Sequence, residues 1–368
     1  MPKSTDVFVI GGGPAGLAAA IAARQRGFSV VVADGAKPPI DKACGEGLMP
    51  DGLAALGALG IQLGVQEAFR FRGIRFLSAS DSAEAPFPIG CGFAVRRTTL
   101  HRLMIERATQ MGAELRWGAA VTGICRDGIH LGSEFIRARW IIGADGANSR
   151  VRRWAGIRNR FRPQLRYAFR RHYRVAPWTD HMEVHWGERC QGYATGVTED
   201  VVCVALASHD PSFRLEDGLR ELPSLNARLA GAEPVSTERG ATTGNRQFQR
   251  VWRGNVALIG DASGTVDAIT GEGLGLAFSQ AVRLAECLER EDLASYQPQH
   301  RRLALRPLWM ARLMLTLDRR PRLQKRTLQV FREHPEIFRR LLAFHIGALA
   351  PTGLVWDGLA LGWGLLTA

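Results

Sequence analysis

The sequence predicts an α/β fold. A Rossmann-type parallel sheet carries an inserted, mostly antiparallel β-sheet domain and is followed by a helical C-terminal region. Three observations predict it. Residues 6–10 form an apolar strand that runs through a glycine turn into an alanine-rich helix and a second apolar strand at residues 30–33, a βαβ unit of parallel-sheet type. Between about residues 160 and 249 the pattern changes to short strands separated by turns, as at 182–186 and 201–207. From Asn255 the first pattern returns, with a buried strand at 256–259 followed by a long helix at 273–290.

Each element has a local reason. The first helix spans 14–26 and is stopped by Gly27, in the expected C-terminal position. A second helix is predicted over 99–111, and residues 138–144 form a short apolar strand ending in Asp145-Gly146. The expected division is a discontinuous nucleotide-binding domain (1–160 and 250–295), a substrate domain (161–249), and a helical C-terminal region (296–368) in possible contact with a membrane. A hydrophobic content of 46% and a charged content of 23% suit a folded protein with a substantial core.

The first glycine run is Gly11-Gly12-Gly13-Pro14-Ala15-Gly16. Gly11 is expected to make the tight turn, Gly13 to admit a pyrophosphate, and Gly16 to let the helix pack on the strand. The helix N-terminus offers free N–H groups and positive dipole to phosphate. Asp34, eighteen residues after Gly16, ends the second strand, where a carboxylate can accept from ribose hydroxyls. A second strand–loop–helix separates FAD from NAD, because it suits a cofactor that spans the domain. It holds Gly260-Asp261 and Gly271-Glu272-Gly273-Leu274. Asp261 is expected at the ribityl hydroxyls. The backbone of residues 271–274 is expected at the flavin pyrimidine edge, where a helix N-terminus stabilises negative charge.

In these residues the chain resembles the para-hydroxybenzoate hydroxylase-like FAD superfamily, and most closely its geranylgeranyl reductase branch. The match rests on residues 11–16, on the run Gly143-Ala144-Asp145-Gly146-Ala147-Asn148-Ser149-Arg150, and on residues 260–275, in that order. The resemblance implies FAD as cofactor, with NAD(P)H or an electron carrier as the expected donor. It places Asp145 and Arg97 beside the cofactor, and Val121 is counted with them. Lys42-Ala43-Cys44-Gly45-Glu46-Gly47 resembles the Cys-Gly loop of the reductase branch, which lies against the flavin. Cys44 and Gly45 are therefore expected at the cofactor. Cys44 is the candidate catalytic group, with a packing role in the loop as the alternative. Ser263 stands where the hydroxylases usually carry a histidine. The aromatic-rich segment usual in the reductases reads Gly192-Tyr193-Ala194-Thr195-Gly196-Val197, retaining only the tyrosine. No Trp-x-Trp motif is present, which speaks against halogenation.

The expected function is thus an FAD-dependent oxidoreductase acting on a hydrophobic substrate. Reduction of a carbon–carbon double bond is the first reading. Hydroxylation of a phenolic or polyketide-derived aromatic is the second, and a non-catalytic flavin-binding partner protein is the third. No metal site is expected. The six cysteines form no CxxC pair, as expected of free thiols in a reducing cytoplasm, and no apolar signal segment precedes the first strand. The net charge of +13 concentrates in residues 150–174, with ten arginines and no acid, and in residues 301–340, at net +9. No nucleic-acid module accompanies it. The basic windows read either as a solvated face or, with the uncharged stretch 341–356, as a peripheral contact with an anionic membrane. That stretch reads equally as packing on the substrate domain.

Overall fold

A computed structural model describes residues 4–157 and 165–350. At its centre are five parallel strands in the spatial order Val256–Leu258, Glu134–Gly143, Ser4–Ile10, Val30–Asp34 and Glu114–Trp117. Their side chains are buried on both faces because helices cover one side and a strand hairpin the other. That is why residues 7–10 and 30–33 read as unbroken apolar runs rather than alternating ones. The Pro14–Arg24 helix packs between the Gly273–Glu289 and Arg97–Gln110 helices over one face. The hairpin of Val121–Cys125 and Gly128–Leu131 extends from the Glu134–Gly143 strand and helps enclose the other. Helix ends fall where the residues demand. Gly27 takes φ +81° and Phe28 N–H closes on Ala23 C=O.

The second sheet has eight strands and is antiparallel except for one pair. Its main path runs Glu233–Pro234, Arg166–Arg174, Val201–Ser208, Cys190–Gly196, His181–Trp186, Gly73–Leu77 and Ser82–Pro86, and Arg239–Thr243 also pairs with Arg166–Arg174. The last two strands of the path belong to the first part of the chain. The substrate sheet is therefore not confined to residues 161–249; Gly73–Leu77 joins it in parallel with His181–Trp186. Alternation hides this from the sequence, since Ser82–Pro86 buries only its two alanines.

The C-terminal region is three helices, Tyr296–Asp318, Pro321–Glu333 and Pro335–His345. Leu328, Phe331, Phe338, Leu341, Leu342 and Phe344 are buried against Phe76, Val184 and Trp186 of the second sheet. Up to Phe344, then, the apolar end of the chain is packed on the substrate sheet rather than free to enter a bilayer; the part of the uncharged stretch after Ala350 lies outside the described residues. No helix among the described residues is long and apolar enough to cross a membrane.

Candidate active site

A cavity of about 660 Å³ runs from the glycine turns of the parallel sheet to the three C-terminal helices. Its polar end is built by strand termini. Gly11 holds φ +113°, and a Cβ there would fall 2.4 Å from the Ala144 carbonyl oxygen, so only glycine permits this turn. Gly16 packs on the same turn, since a Cβ would lie 1.8 Å from Gly11 O. Gly13 differs. It lines the cavity, and a Cβ on it would meet nothing within 4 Å, which leaves open the approach to the N-terminus of the Pro14–Arg24 helix. The cavity is also lined there by Pro14, Ala15, Asp34, Gly45, Arg97, Val121, Asp145, Gly260, Asp261, Gly271, Gly273 and Leu274.

Three residues named from the sequence lie outside the lining, Gly16 among them in the packing role expected of it. Gly12 and Gly16 are packing glycines outside the lining, Gly12 being closed off by the Trp117 ring. The Glu272 carboxyl is 6% exposed and turns away from the glycine loop toward Arg306 and His345. Only the backbone beside it, at Gly271 and Gly273, reaches the cavity.

The carboxylates at the polar end are tied down. Asp34 Oδ2 accepts from Gly12 N–H (2.7 Å) and Oδ1 from Ala36 N–H (2.8 Å). Asp145 Oδ2 accepts from the N–H groups of Arg150 and Val151, capping that short helix (2.6 and 3.1 Å). Its other oxygen is buried with no partner, as is Nε of Arg97. Lys42 Nζ sits 2.7 Å from Asp261 Oδ2, so the charge of the lysine two residues before Cys44 is engaged by that carboxylate. Cys44 lines the cavity, and its sulfur accepts from Glu46 N–H at 3.3 Å. All six cysteines are free thiols.

Behind the Cys44 loop lies a buried polar network. Glu46 adopts φ +62°, uncommon for a residue with a side chain, and is 2% exposed. Its carboxylate accepts from Arg97 N–H (2.9 Å) and meets His172 Nε2 at 2.7 Å. His172 Nδ1 lies 2.9 Å from Ser236 Oγ and 3.3 Å from Arg170 Nη1, and a guanidinium only donates. Nδ1 is therefore the acceptor and Nε2–H the donor to Glu46. Arg170 in turn pairs with Asp41. Glu46, His172 and Cys203 are close enough to hold a metal ion. The Glu46–His172 hydrogen bond and the Arg170 guanidinium 4.0 Å from Glu46 instead make this a satisfied, cation-repelling cluster. Arg166 and Asp267, both 1% exposed, pair at 2.9 Å. Part of the arginine-rich window thus cements the inside of the sheet and is neither a solvated face nor a membrane contact.

The far end of the cavity is apolar, walled by Met182, Val184, Trp186, Met310, Met314, Leu317, Phe331, Phe338, Leu341 and Leu342. Tyr193, the tyrosine retained from the aromatic segment, lines it and donates to Gln191 Oε1 at 2.6 Å; burial holds its hydroxyl far above the usual phenol range.

His345 completes the lining beside Gly271. Its Nδ1 is 3.5 Å from Glu272 Oε2, and Arg306 Nη2 is 3.7 Å from Glu272 Oε1 and 2.5 Å from Asp51 Oδ2. Burial, opposed by Arg306, pushes Glu272 up to about 8. Burial and then Arg306 push His345 down to about 4. Desolvation also raises Asp51. The sequence signals neither His345 nor Arg306, which sit singly in a basic helical region far along the chain from Glu272; no spacing rule joins them.

Residues 4–292 match the FAD binding domain family. The chain belongs to that family. It is an FAD-dependent oxidoreductase. It is 30% identical over 323 residues to the menaquinone reductase of Mycobacterium tuberculosis, covering 80% of this chain and 79% of that one. It is 28% identical over 300 residues to digeranylgeranylglycerophospholipid reductase 1 of Methanothermobacter thermautotrophicus, covering 74% of each. Among solved structures, a flavin-dependent brominase superposes with a TM-score of 0.82 at 17% identity over 97% of both chains, a likeness of fold. The open face at Gly13, the unpartnered Asp145 oxygen and the free Arg97 Nε give this FAD-binding protein a place where a phosphorylated cofactor fits.

Proposed function

We propose that this flavoprotein reduces a carbon–carbon double bond in an isoprenoid lipid, with NAD(P)H or an electron carrier as the source of electrons. The observation that carries the reading is the cavity itself, whose glycine-lined polar end continues into a wall of methionine, leucine and phenylalanine side chains. Burying an apolar chain against such a wall gains about 25 cal/mol per Å², and methionines adapt to a flexible ligand. Relatives named as reductases of menaquinone and of a digeranylgeranyl lipid support it.

In this reading the Pro14–Arg24 helix N-terminus and the open face of Gly13 receive the FAD pyrophosphate. Asp34 takes the adenosine ribose and Asp261 the ribityl chain. Arg97, Val121, Asp145 and the Cys44-Gly45 loop flank the cofactor, and the Gly271–Leu274 backbone meets its pyrimidine edge. FAD, when bound, supplies hydride transfer. The C-terminal helices exclude water from the apolar end and align the substrate chain.

The test is anaerobic. Protein loaded with FAD and reduced by dithionite is mixed with menaquinone, or with a geranylgeranyl phospholipid, in detergent. Return of the oxidised-flavin band, with a product two hydrogens heavier, supports the reading. No reoxidation by either lipid, but oxygen consumption and hydroxylation with a phenolic substrate, overturns it.

A further inference from the structure

Glu272 and His345 are buried at the junction of the polar and apolar ends of the cavity, and the FAD-binding role uses neither side chain. Glu272 is 6% exposed, and neither carboxyl oxygen has a hydrogen-bond partner; His345 is 5% exposed, and its Nδ1 has none either. Two such groups 3.5 Å apart, with Arg306 and Thr270 as further polar neighbours, are costly to bury unless they act on each other or on a ligand. The histidine ring lines the cavity beside the Gly271 turn, with Nδ1 toward Glu272 and Nε2 on the opposite side of the ring; the Thr270 backbone also approaches the ring. Arg306 and Asp51 stand behind the pair, and Thr270 flanks it. These are the charged and polar groups that face it from the Met49–Ala58 side, the loop at 270–272 and the Tyr296–Asp318 helix.

We infer that Glu272 and His345 form the proton-donating dyad of the reduction, His345 giving the proton to the substrate and Glu272 replenishing it. This rests on the double-bond reduction proposed above. That reaction adds a hydride and a proton across C=C. The two electrons and one hydrogen come from reduced FAD, and the proton comes from His345 Nε2–H. As that N–H bond breaks and the new C–H bond forms, the Glu272 proton passes to His345 Nδ1, so the imidazole stays neutral. The resulting Glu272 carboxylate is held by the Arg306 guanidinium. After product leaves, water reprotonates Nε2, and the Nδ1 proton returns to Glu272. The electrostatics suit the cycle. Burial keeps Glu272 protonated and His345 neutral at pH 7, a charge-free resting state in an apolar pocket, with a cation waiting for the carboxylate.

The test uses the FAD-loaded protein and two variants, Glu272→Gln and His345→Gln. Infrared spectra report the dyad without turnover. The wild type is expected to show a protonated-carboxyl C=O band at pH 7 that disappears near pH 8 and is absent from Glu272→Gln. In the anaerobic experiment with menaquinone, both variants are expected to bind FAD and accept dithionite electrons as the wild type does, yet to reoxidise about 10²-fold more slowly. The wild-type rate should fall above pH 8, and that limb should vanish in Glu272→Gln. A missing carboxyl band, or a band untouched by Glu272→Gln, overturns the dyad, as does wild-type reoxidation by either variant. Should His345→Gln not fold, the isosteric Glu272→Gln decides alone. Failure of the wild-type protein itself to reduce either lipid strikes the parent reading, whereas the infrared band judges the dyad separately.

Discussion

Two glycines three residues apart are expected to respond in opposite ways to the same added methyl group. At Gly16 a Cβ would sit 1.8 Å from Gly11 O and 3.3 Å from the Ala144 Cβ. Two pieces of main chain must therefore part by about 1.6 Å to restore ordinary contact, a severe case of overpacking, costing roughly 3 kcal/mol or more. The helix preference for alanine returns at most about 1 kcal/mol. At Gly13, with φ −71° and ψ 177°, alanine is sterically at ease and touches nothing within 4 Å. The fold should be unharmed, but the methyl group would occupy the approach to the helix N-terminus. Loss of close phosphate approach is expected to weaken FAD binding about 10²-fold, or roughly 2.7 kcal/mol. Thermal unfolding of the apoprotein and FAD titration by fluorescence quenching separate the two outcomes. Gly16→Ala should lower both melting temperature and affinity, and Gly13→Ala only affinity. Wild-type FAD affinity in Gly13→Ala would refute the placement of the pyrophosphate at this turn.

Further outcomes follow from other sites. Asp261→Ala should lose FAD while melting within a few degrees of wild type, because its partner Lys42 is half exposed and such a pair contributes at most about 1 kcal/mol; unchanged flavin content would remove Asp261 from the ribityl site. Cys44→Ser should keep FAD, since a hydroxyl can accept the Glu46 N–H in place of the thiol. If sulfur takes part in the chemistry, turnover falls tenfold or more, about 1.4 kcal/mol of barrier, and full turnover would leave it a packing group. Glu272, raised from 4.5 to about 8, binds its proton more tightly folded than unfolded, so its stabilisation is complete below 4.5 and lost as pH rises through 8. His345, depressed to about 4 from 6.5, acts oppositely, but only below 6.5, so the span from pH 6.5 to 8 isolates Glu272. Stability should fall there by up to about 2 kcal/mol in the wild type and stay flat in Glu272→Gln, as followed by denaturant unfolding; equal slopes would contradict its buried, protonated state. Leu305 and Trp309, 66% and 47% exposed one helical turn apart in the basic region, are expected to anchor the protein to anionic vesicles. Changing both to serine should reduce vesicle pelleting while leaving flavin content intact, and unchanged pelleting would exclude this face.

Much of the polar half of the site was legible because its chemistry is local. A turn at φ +113° and a strand end that must carry a carboxylate each leave a mark within a few residues, so Gly11, Gly13, Asp34, Asp261 and Gly271 could be named from the chain and are found along one cavity. Backbone-driven requirements of this kind depend on neighbours in sequence. Glu272 shows the limit: the glycines on either side fix the loop, but the direction of its side chain is decided by what packs over it.

The sequence by itself determined the βαβ frame, the glycine turns that line the cavity, and the insertion of a second sheet, since periodicity and glycine placement encode them directly. Only the tertiary structure decided that Gly73–Leu77 completes the substrate sheet, that Arg166 and Arg170 are interior cations, and that Glu272, His345 and Arg306 meet at the cavity. In each case the partners lie from about thirty to about 130 residues apart. Their meeting is set by shape and burial, and a buried charge is tolerated only where the completed fold supplies its counter-charge.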